Sequence, residues 1–431
     1  MNNLGFRRQT QIPVLVFLLM LVHSARAQQS VTSPTNQTEI NQQLLGRIEE
    51  LEKEVEALKA QLPVGSLVPV PAPGPAAAPA PAPAPVAAPV VETPAVNEVS
   101  RRLKLNVFGD VGANIFSHIP DTFDFGSLDL FMTARLSGKV SALGETLFIA
   151  QSDNSIQVDV ERLLLNYRQN DYFRIGVGRY HTWVGFYNSM FNKGEFLETA
   201  IDRPFFYQFD DTGGFLPMQD VGITTTGKIP SGNLGLNYVF ELGNGRGWGP
   251  EVEPAQNNQD ANNSKAVNGG LFIRPEKFPG LQLGFSLRHD NLSVPGPSVS
   301  ESIATVHAIF MDSKYEILNE GLLVRHVEPA GSIFNTAGFY SQWSRAFGNW
   351  RPYFRYQYFN ASSNDPVYIY ASPNQYAPLD VTGFVGRLNG PSAGVRFDFS
   401  AHSALKLQYD RYDLRALPDV NGITSQVAFT F

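Results

Sequence analysis

The chain has 431 residues, of which 12% are aromatic and only 17% charged, and its net charge is −7. It has no cysteine, which excludes a disulfide framework, thiol catalysis and Cys-ligated metals. The negative charge gives no footing for nucleic acid, and a mean hydropathy of −0.15 excludes a bundle of apolar membrane helices.

Residues 1–27 read as a secretory signal. Arg7 and Arg8 form a basic start, Ile12 to Val22 is a short apolar run, and Ala25-Arg26-Ala27 supplies small residues at the cleavage positions. Residues 28–36 form a short polar segment. A heptad follows over 37–62, with Asn41, Ile48, Val55 and Leu62 at a and Leu44, Leu51 and Leu58 at d. Arg47 at g faces Glu52 at e of a neighbour, and Glu54 faces Lys59, opposite signs that suit a parallel coiled coil. Ile and Val at a with Leu at d lean toward two strands, so two-stranded and three-stranded forms both stay open. Residues 63–100 are a Pro/Ala-rich linker, which cannot form helix or sheet and favours an extended polyproline spacer.

From residue 101 to 431 the pattern changes to short alternating runs separated by Gly, Asn, Asp, Ser and Pro. Leu283, Phe285 and Leu287 alternate with Gly284, Ser286 and Arg288. Leu405, Leu407 and Tyr409 alternate with Lys406, Gln408 and Asp410. One face of each run is apolar and the other carries the charge. The last run, Asn421 to Phe431, puts Val427, Phe429 and Phe431 on one face. Roughly sixteen such runs are counted, at about ten residues each, the length of a bilayer-spanning strand, starting near 103, 126, 144, 156, 171, 218, 232, 264, 280, 301, 314, 334, 349, 388, 402 and 421. Their connections alternate between tight turns, as at 229–233 and 347–349, and long stretches at 181–217, 243–263 and 361–387. The fold class expected is an all-β transmembrane barrel of about 16 antiparallel strands, preceded by the coiled-coil helix and the linker. A soluble sandwich or propeller would explain neither the aromatic excess nor the terminal Phe431, and no blade-like repeat of about 40 to 50 residues is present.

This layout resembles a Gram-negative outer-membrane porin with an N-terminal periplasmic coiled coil, and in particular the phosphate-selective and dicarboxylate-type trimeric porins. Tyr172-Phe-Arg-Ile-Gly-Val-Gly-Arg179-Tyr180 resembles the strand that precedes a long inserted loop in those porins. Asp220-Val-Gly-Ile-Thr and Asn237-Tyr-Val-Phe-Glu-Leu-Gly-Asn-Gly245 look like the next two strands. The resemblance implies a homotrimer seated in outer-membrane lipid, with the stalk in the periplasm and peptidoglycan as a candidate partner. Val427, Phe429 and Phe431 are similar to the signal read by the barrel-insertion machinery.

Candidate pore-lining cations, by alternation, are Arg135, Arg162, Arg168, Arg174, Arg288, Arg355, Arg396 and Lys406, with Arg179 at a strand end. Such side chains attract anions in a narrow pore. The plainer expectation is ordinary lumen residues paired with Asp129, Asp398 and Asp410. The stretch 181–217 is the candidate constriction: Trp183, Phe186 and Tyr187 open a run of aromatics, Asp202, Arg203, Asp210 and Asp211 carry its charge, and packing is the main role expected of its rings. No catalytic or nucleotide motif is found, and the seven His are scattered, so no enzyme, cofactor or metal is expected. The function read from these residues is a passive channel for small hydrophilic solutes, with anion preference as the sharper version. A non-conducting barrel that anchors the stalk is the alternative.

Overall fold

The computed structural model describes residues 103–117, 121–150, 155–191, 194–207, 216–246, 260, 262–293, 298–362, 364–369, 387–414 and 420–431. The signal, the coiled coil (Leu44, Ile48, Leu51, Val55, Leu58, Leu62), the linker, Asp210 and Asp211 lie outside the described residues.

Among the described residues seventeen strands run in chain order: β1 (Leu103–Phe116), β2 (Thr122–Asp124), β3 (Ser127–Arg135), β4 (Val140–Ala150), β5 (Ile156–Arg168), β6 (Arg174–His181), β7 (Gln219–Lys228), β8 (Leu236–Gly243) and β9 (Ala266–Ile273), then β10 (Leu281–Leu292), β11 (Val299–Met311), β12 (Tyr315–Val327), β13 (Ile333–Arg345), β14 (Trp350–Asn360), β15 (Arg387–Ser400), β16 (Ser403–Leu414) and β17 (Val420–Thr430). From β3 onward each pairs antiparallel with the next. β1 pairs with β17 from Phe108↔Thr430 to Phe116↔Gly422 and closes the ring. Its other edge pairs with β3 below Gly109 and with β2 above it. β2 and β3 are therefore two halves of one stave. The break lies where Asp110 Oδ1 accepts from both the backbone N–H and the hydroxyl of Ser127, at 2.9 Å each. The result is a closed barrel of sixteen staves. The sixteen strand starts expected from the alternation all fall within four residues of observed ones. The short β2 is the addition.

The alternation decides which way each side chain faces. On β10, Leu283, Phe285 and Leu287 are exposed, while Gln282, Ser286, Arg288 and Asp290 are buried. On β12, Glu316, Leu318, Glu320, Leu322, Val324 and His326 are all buried and face in. This is the reverse of a soluble sheet: the apolar rows point out of the molecule and the charged rows into it. An exterior so rich in exposed Leu, Val, Phe and Trp is stable against hydrocarbon and not against water. Closure also leaves no unpaired edge, which hydrocarbon would not tolerate. Short turns gather at one end, for example 312–314 and 401–402. The strands that lead into the long connections end at the other end.

Candidate functional site

In the connection from β6 to β7, the described residues 182–191, 194–207 and 216–218 turn into the barrel. It carries a short helix, α1 (Phe186–Met190), and two single-turn 3₁₀ pieces, Glu195–Leu197 and Phe205–Tyr207. Few of its backbone groups are satisfied by regular structure, so the wall must satisfy them. Glu320 of β12 does the most. Its carboxylate, 3% exposed, accepts from the N–H of Phe186 at 2.6 Å and of Tyr187 at 2.9 Å. It also accepts from the hydroxyls of Tyr207 at 2.9 Å and Tyr340 at 2.7 Å. Gly185 opens this contact at φ 87°, and a Cβ there would collide with the Tyr207 hydroxyl.

Other wall side chains hold further described parts of the insert. Lys406 Nζ donates to the carbonyls of Glu195 at 2.6 Å and Ala200 at 3.2 Å. Arg396 Nη1 donates to those of Phe196 at 2.6 Å and Glu198 at 2.9 Å. Arg355 Nη1 donates to the Asp202 carbonyl at 2.9 Å. Gln408 and Gln357 accept from the N–H groups of Ile201 and Phe205, Glu241 from that of Trp183, and Glu316 from the Thr199 hydroxyl. Asp202 sits at φ 61°, the one non-glycine in the left-handed region among the described residues. The two wall contacts on either side of it over-determine that conformation.

The aromatic excess of this stretch is packing. Phe186, Tyr187, Phe191, Phe206 and Tyr207 join Leu318, Leu322, Val324, Tyr340 and Phe359 of the wall in one buried cluster. Trp183 stacks on Phe272 with ring centroids 4.6 Å apart. Arg203 is buried beneath this layer, donates to the Tyr207 carbonyl at 2.7 Å, and lies over the Tyr187 ring at 5.2 Å.

These ties run to β8, β12 and β14–β16, Gln426 of β17 adds a bond to the Glu195 carboxylate at 3.3 Å, and the barrel interior becomes two unlike walls. On the covered side, inward residues of β10–β16 are mostly below a tenth exposed. On the other side, Phe131, Thr133, Ser141, Leu143, Leu164, Asn166 and Thr224 of β3–β7 remain partly exposed toward the interior.

The predicted cations divide along the same line. Arg355, Arg396 and Lys406 hold the insert. Arg288 is buried and bonds Asp220 and Asp290, at 3.1 and 3.4 Å. Arg179 is buried and donates to Gln219 at 2.5 Å. Arg162 pairs with Glu145 and lies 5.2 Å over the Phe131 ring. Arg135, Arg168 and Arg174 are exposed, at or near the short-turn end, and Arg168 pairs with Asp171. Of the three expected acid partners, Asp398 does pair with Arg396, at 2.8 Å. Asp410 instead accepts from Gln408 and Tyr412, and the Asp129 oxygens have no hydrogen-bond donor among the described residues. Those two pairings are corrected: on the Asp410 side Arg355 and Lys406 are drawn to carbonyls of the insert, and on the Asp129 side Arg162 is taken by Glu145. On β17, Val427 and Phe429 are partly exposed and Phe431 is 73% exposed, all on the outer face.

Burial, then the neighbouring Glu195, holds two carboxyls of the insert above their ordinary range, Glu198 to about 7 and Asp202 to about 8. Asp410 adds to the effect on Asp202, while Arg355 opposes it. Arg203 and Lys406 oppose it on Glu198.

Sequence reasoning missed the acceptors Glu241, Glu316, Glu320, Gln357 and Gln408. Their inward parity was readable; the backbone groups they serve are remote in sequence. It also missed a buried chain at the long-loop end. There Arg246 donates to Glu301 at 2.7 Å, and His326 bridges Glu301 at 2.9 Å and Asp365 at 2.7 Å.

A closed barrel of sixteen staves with a long connection folded inward has a known architecture. The fold is that of an outer-membrane porin. Among solved structures, an anion-selective porin from Comamonas acidovorans is similar at 12% identity and a TM-score of 0.53, over 76% of this chain and 100% of that one. OmpF of Salmonella typhi in complex with daunomycin is similar at 10% identity and a TM-score of 0.52, over 76% and 97%. The outer membrane channel DcaP of Acinetobacter baumannii is similar at 11% identity and a TM-score of 0.51, over 76% and 97%. No protein-family model matches the chain, and no curated protein matches it in sequence. At these identities the likeness to porins is one of fold.

Proposed function

We propose that this protein is an outer-membrane porin, a passive channel for small hydrophilic solutes, and not an enzyme. One observation carries the reading. The insert is bonded to one side of the interior and leaves the opposite wall, β3–β7, partly exposed, so the barrel is narrowed. A polar interior inside an apolar exterior suits water-borne traffic across a bilayer. Incorporation into a planar bilayer in KCl tests it: stepwise conductance is expected. A barrel that inserts and never conducts supports the anchor reading instead.

The sharper reading is a preference for anions. What supports it is the exposure of Arg135, Arg168 and Arg174 on the uncovered side, where Asp129, Glu145, Asp159 and Glu161 are at most 2% exposed. The expected reversal potential under a KCl gradient has the sign of chloride permeation, and a cation sign sinks this version. Assembly as a homotrimer, with outer-membrane lipid against the apolar face and the N-terminal stalk in the periplasm or on peptidoglycan, belongs to the same proposal. So does recognition of Val427, Phe429 and Phe431 by the barrel-insertion machinery.

A further inference from the structure

Apolar residues that face inward need a reason in a polar lumen. On the covered side the reason is the insert, against which Leu318, Leu322 and Val324 are buried. On the open side Leu143 and Leu164 have no such cover among the described residues and remain partly exposed. They are direct cross-strand partners, and Thr133 is the partner of Leu143 on its other side. The three make a lateral row. The row above is Phe131, Glu145 and Arg162, with Glu145 fully buried and the Arg162 guanidinium over the Phe131 ring. The row below is Arg135, Ser141, Asn166 and Gly176. Arg168 and Arg174 face each other one step further toward the short-turn end.

Gly176 matters to this surface. A Cβ there would come within 3.2 Å of Leu164 Cδ1 and 2.9 Å of Asn166 Oδ1. Its absence leaves the Leu164 side chain uncovered. Two strand spacings give about 10 Å across the patch, and two residues along a strand give about 7 Å. That is room for one small apolar body, with Arg135 and Arg174 a row or two below.

We propose that Phe131, Leu143 and Leu164, with Arg135 and Arg174, form a subsite for organic monoanions that carry an apolar body, such as an arylcarboxylate. The body lies on the Leu row and the carboxylate meets the exposed guanidinium groups, which pair with such anions in bidentate geometry. Phosphate has no apolar surface to bury and a short dicarboxylate has only a methylene or two between its charges, so both gain less from the row than an aryl ring does. This rests on the channel reading above and deepens it.

The test is current blockade by benzoate in single channels of the full chain, against phosphate and succinate at equal ionic strength. Benzoate is expected to dwell about fivefold longer than either, the effect of covering one small apolar face. Leu143→Asn combined with Leu164→Asn should bring all three within about twofold while KCl conductance persists. Thr133→Leu extends the row and should lengthen the benzoate dwell. Dwell times that are equal in the wild type, or unmoved by both variants, overturn the subsite and leave the channel standing. Absence of any KCl conductance overturns both.

Discussion

The two walls of one barrel are built by the same alternation and end in different states. On β12, Glu316, Leu318, Glu320 and Leu322 face in and are buried. On β3–β5, Phe131, Leu143, Leu164 and Asn166 face in and are partly exposed. Composition does not separate the walls, since both mix leucine with acids and bases. The insert does. Where it lies, wall cations become hydrogen-bond donors to carbonyls and lose their reach into solution. Where it does not, arginines at the edge keep that reach. A cation's inward parity therefore says little about selectivity until the path of 182–218 is known.

The comparison breaks most sharply if the insert is released. Glu320→Ala leaves two backbone N–H groups and two tyrosine hydroxyls without their acceptor. The expected loss is several kcal/mol, at about 1–3 kcal/mol for each buried donor left unmade, seen as a lower thermal unfolding midpoint of the barrel in detergent. Single channels of the variant should be larger and noisier, and wild-type noise would mean that Glu320 does not hold the insert. Gly185→Ala attacks the same joint from the other side. It forces a Cβ onto the Tyr207 hydroxyl at a positive φ, and about 1–3 kcal/mol of destabilisation is expected in the same measurement.

Titration of the insert sharpens the comparison without removing anything. Glu198 and Asp202 have raised values in the folded chain, so each is neutral below its folded value and gains charge as pH rises through it. Their contribution to stability is full below the ordinary carboxylate range and is lost as pH rises toward about 7 and about 8. The anion-to-cation permeability ratio should accordingly fall between acidic and alkaline reversal-potential measurements. Glu198→Gln with Asp202→Asn should flatten that dependence; an unchanged slope assigns it elsewhere. The smallest effect is expected at the open wall's edge. Arg135→Gln with Arg174→Gln should lower the permeability ratio by about twofold and more at low salt, because exposed charges are screened over roughly 10 Å. A ratio insensitive to salt and to both changes would remove these residues from selectivity.

Much of the barrel was legible because its signal is local. A period of two over about ten residues gives a strand, its two faces and its neighbours in chain order, and sixteen starts fell within four residues of those observed. The inward parity of Arg288, Arg355, Arg396 and Lys406 was legible for the same reason. The break at Asp110 and Ser127 was not, since nothing local distinguishes that carboxylate from any other inward acid. The aromatic density of 181–217 suggested packing, and the cluster around Tyr187, Phe206 and Tyr207 is that packing.

What the sequence determined by itself was the alternation: apolar residues outward, polar residues inward, short turns at one end and long connections at the other. Hydrophobic periodicity and chain order suffice for that. The tertiary structure alone decided which inward groups meet the insert. Glu320 serves Phe186 and Tyr187 from 134 and 133 residues away, and Lys406 reaches Glu195 from 211. Backbone groups that the insert cannot satisfy within itself must find acceptors and donors wherever closure of the barrel brings them, and no local pattern encodes that meeting.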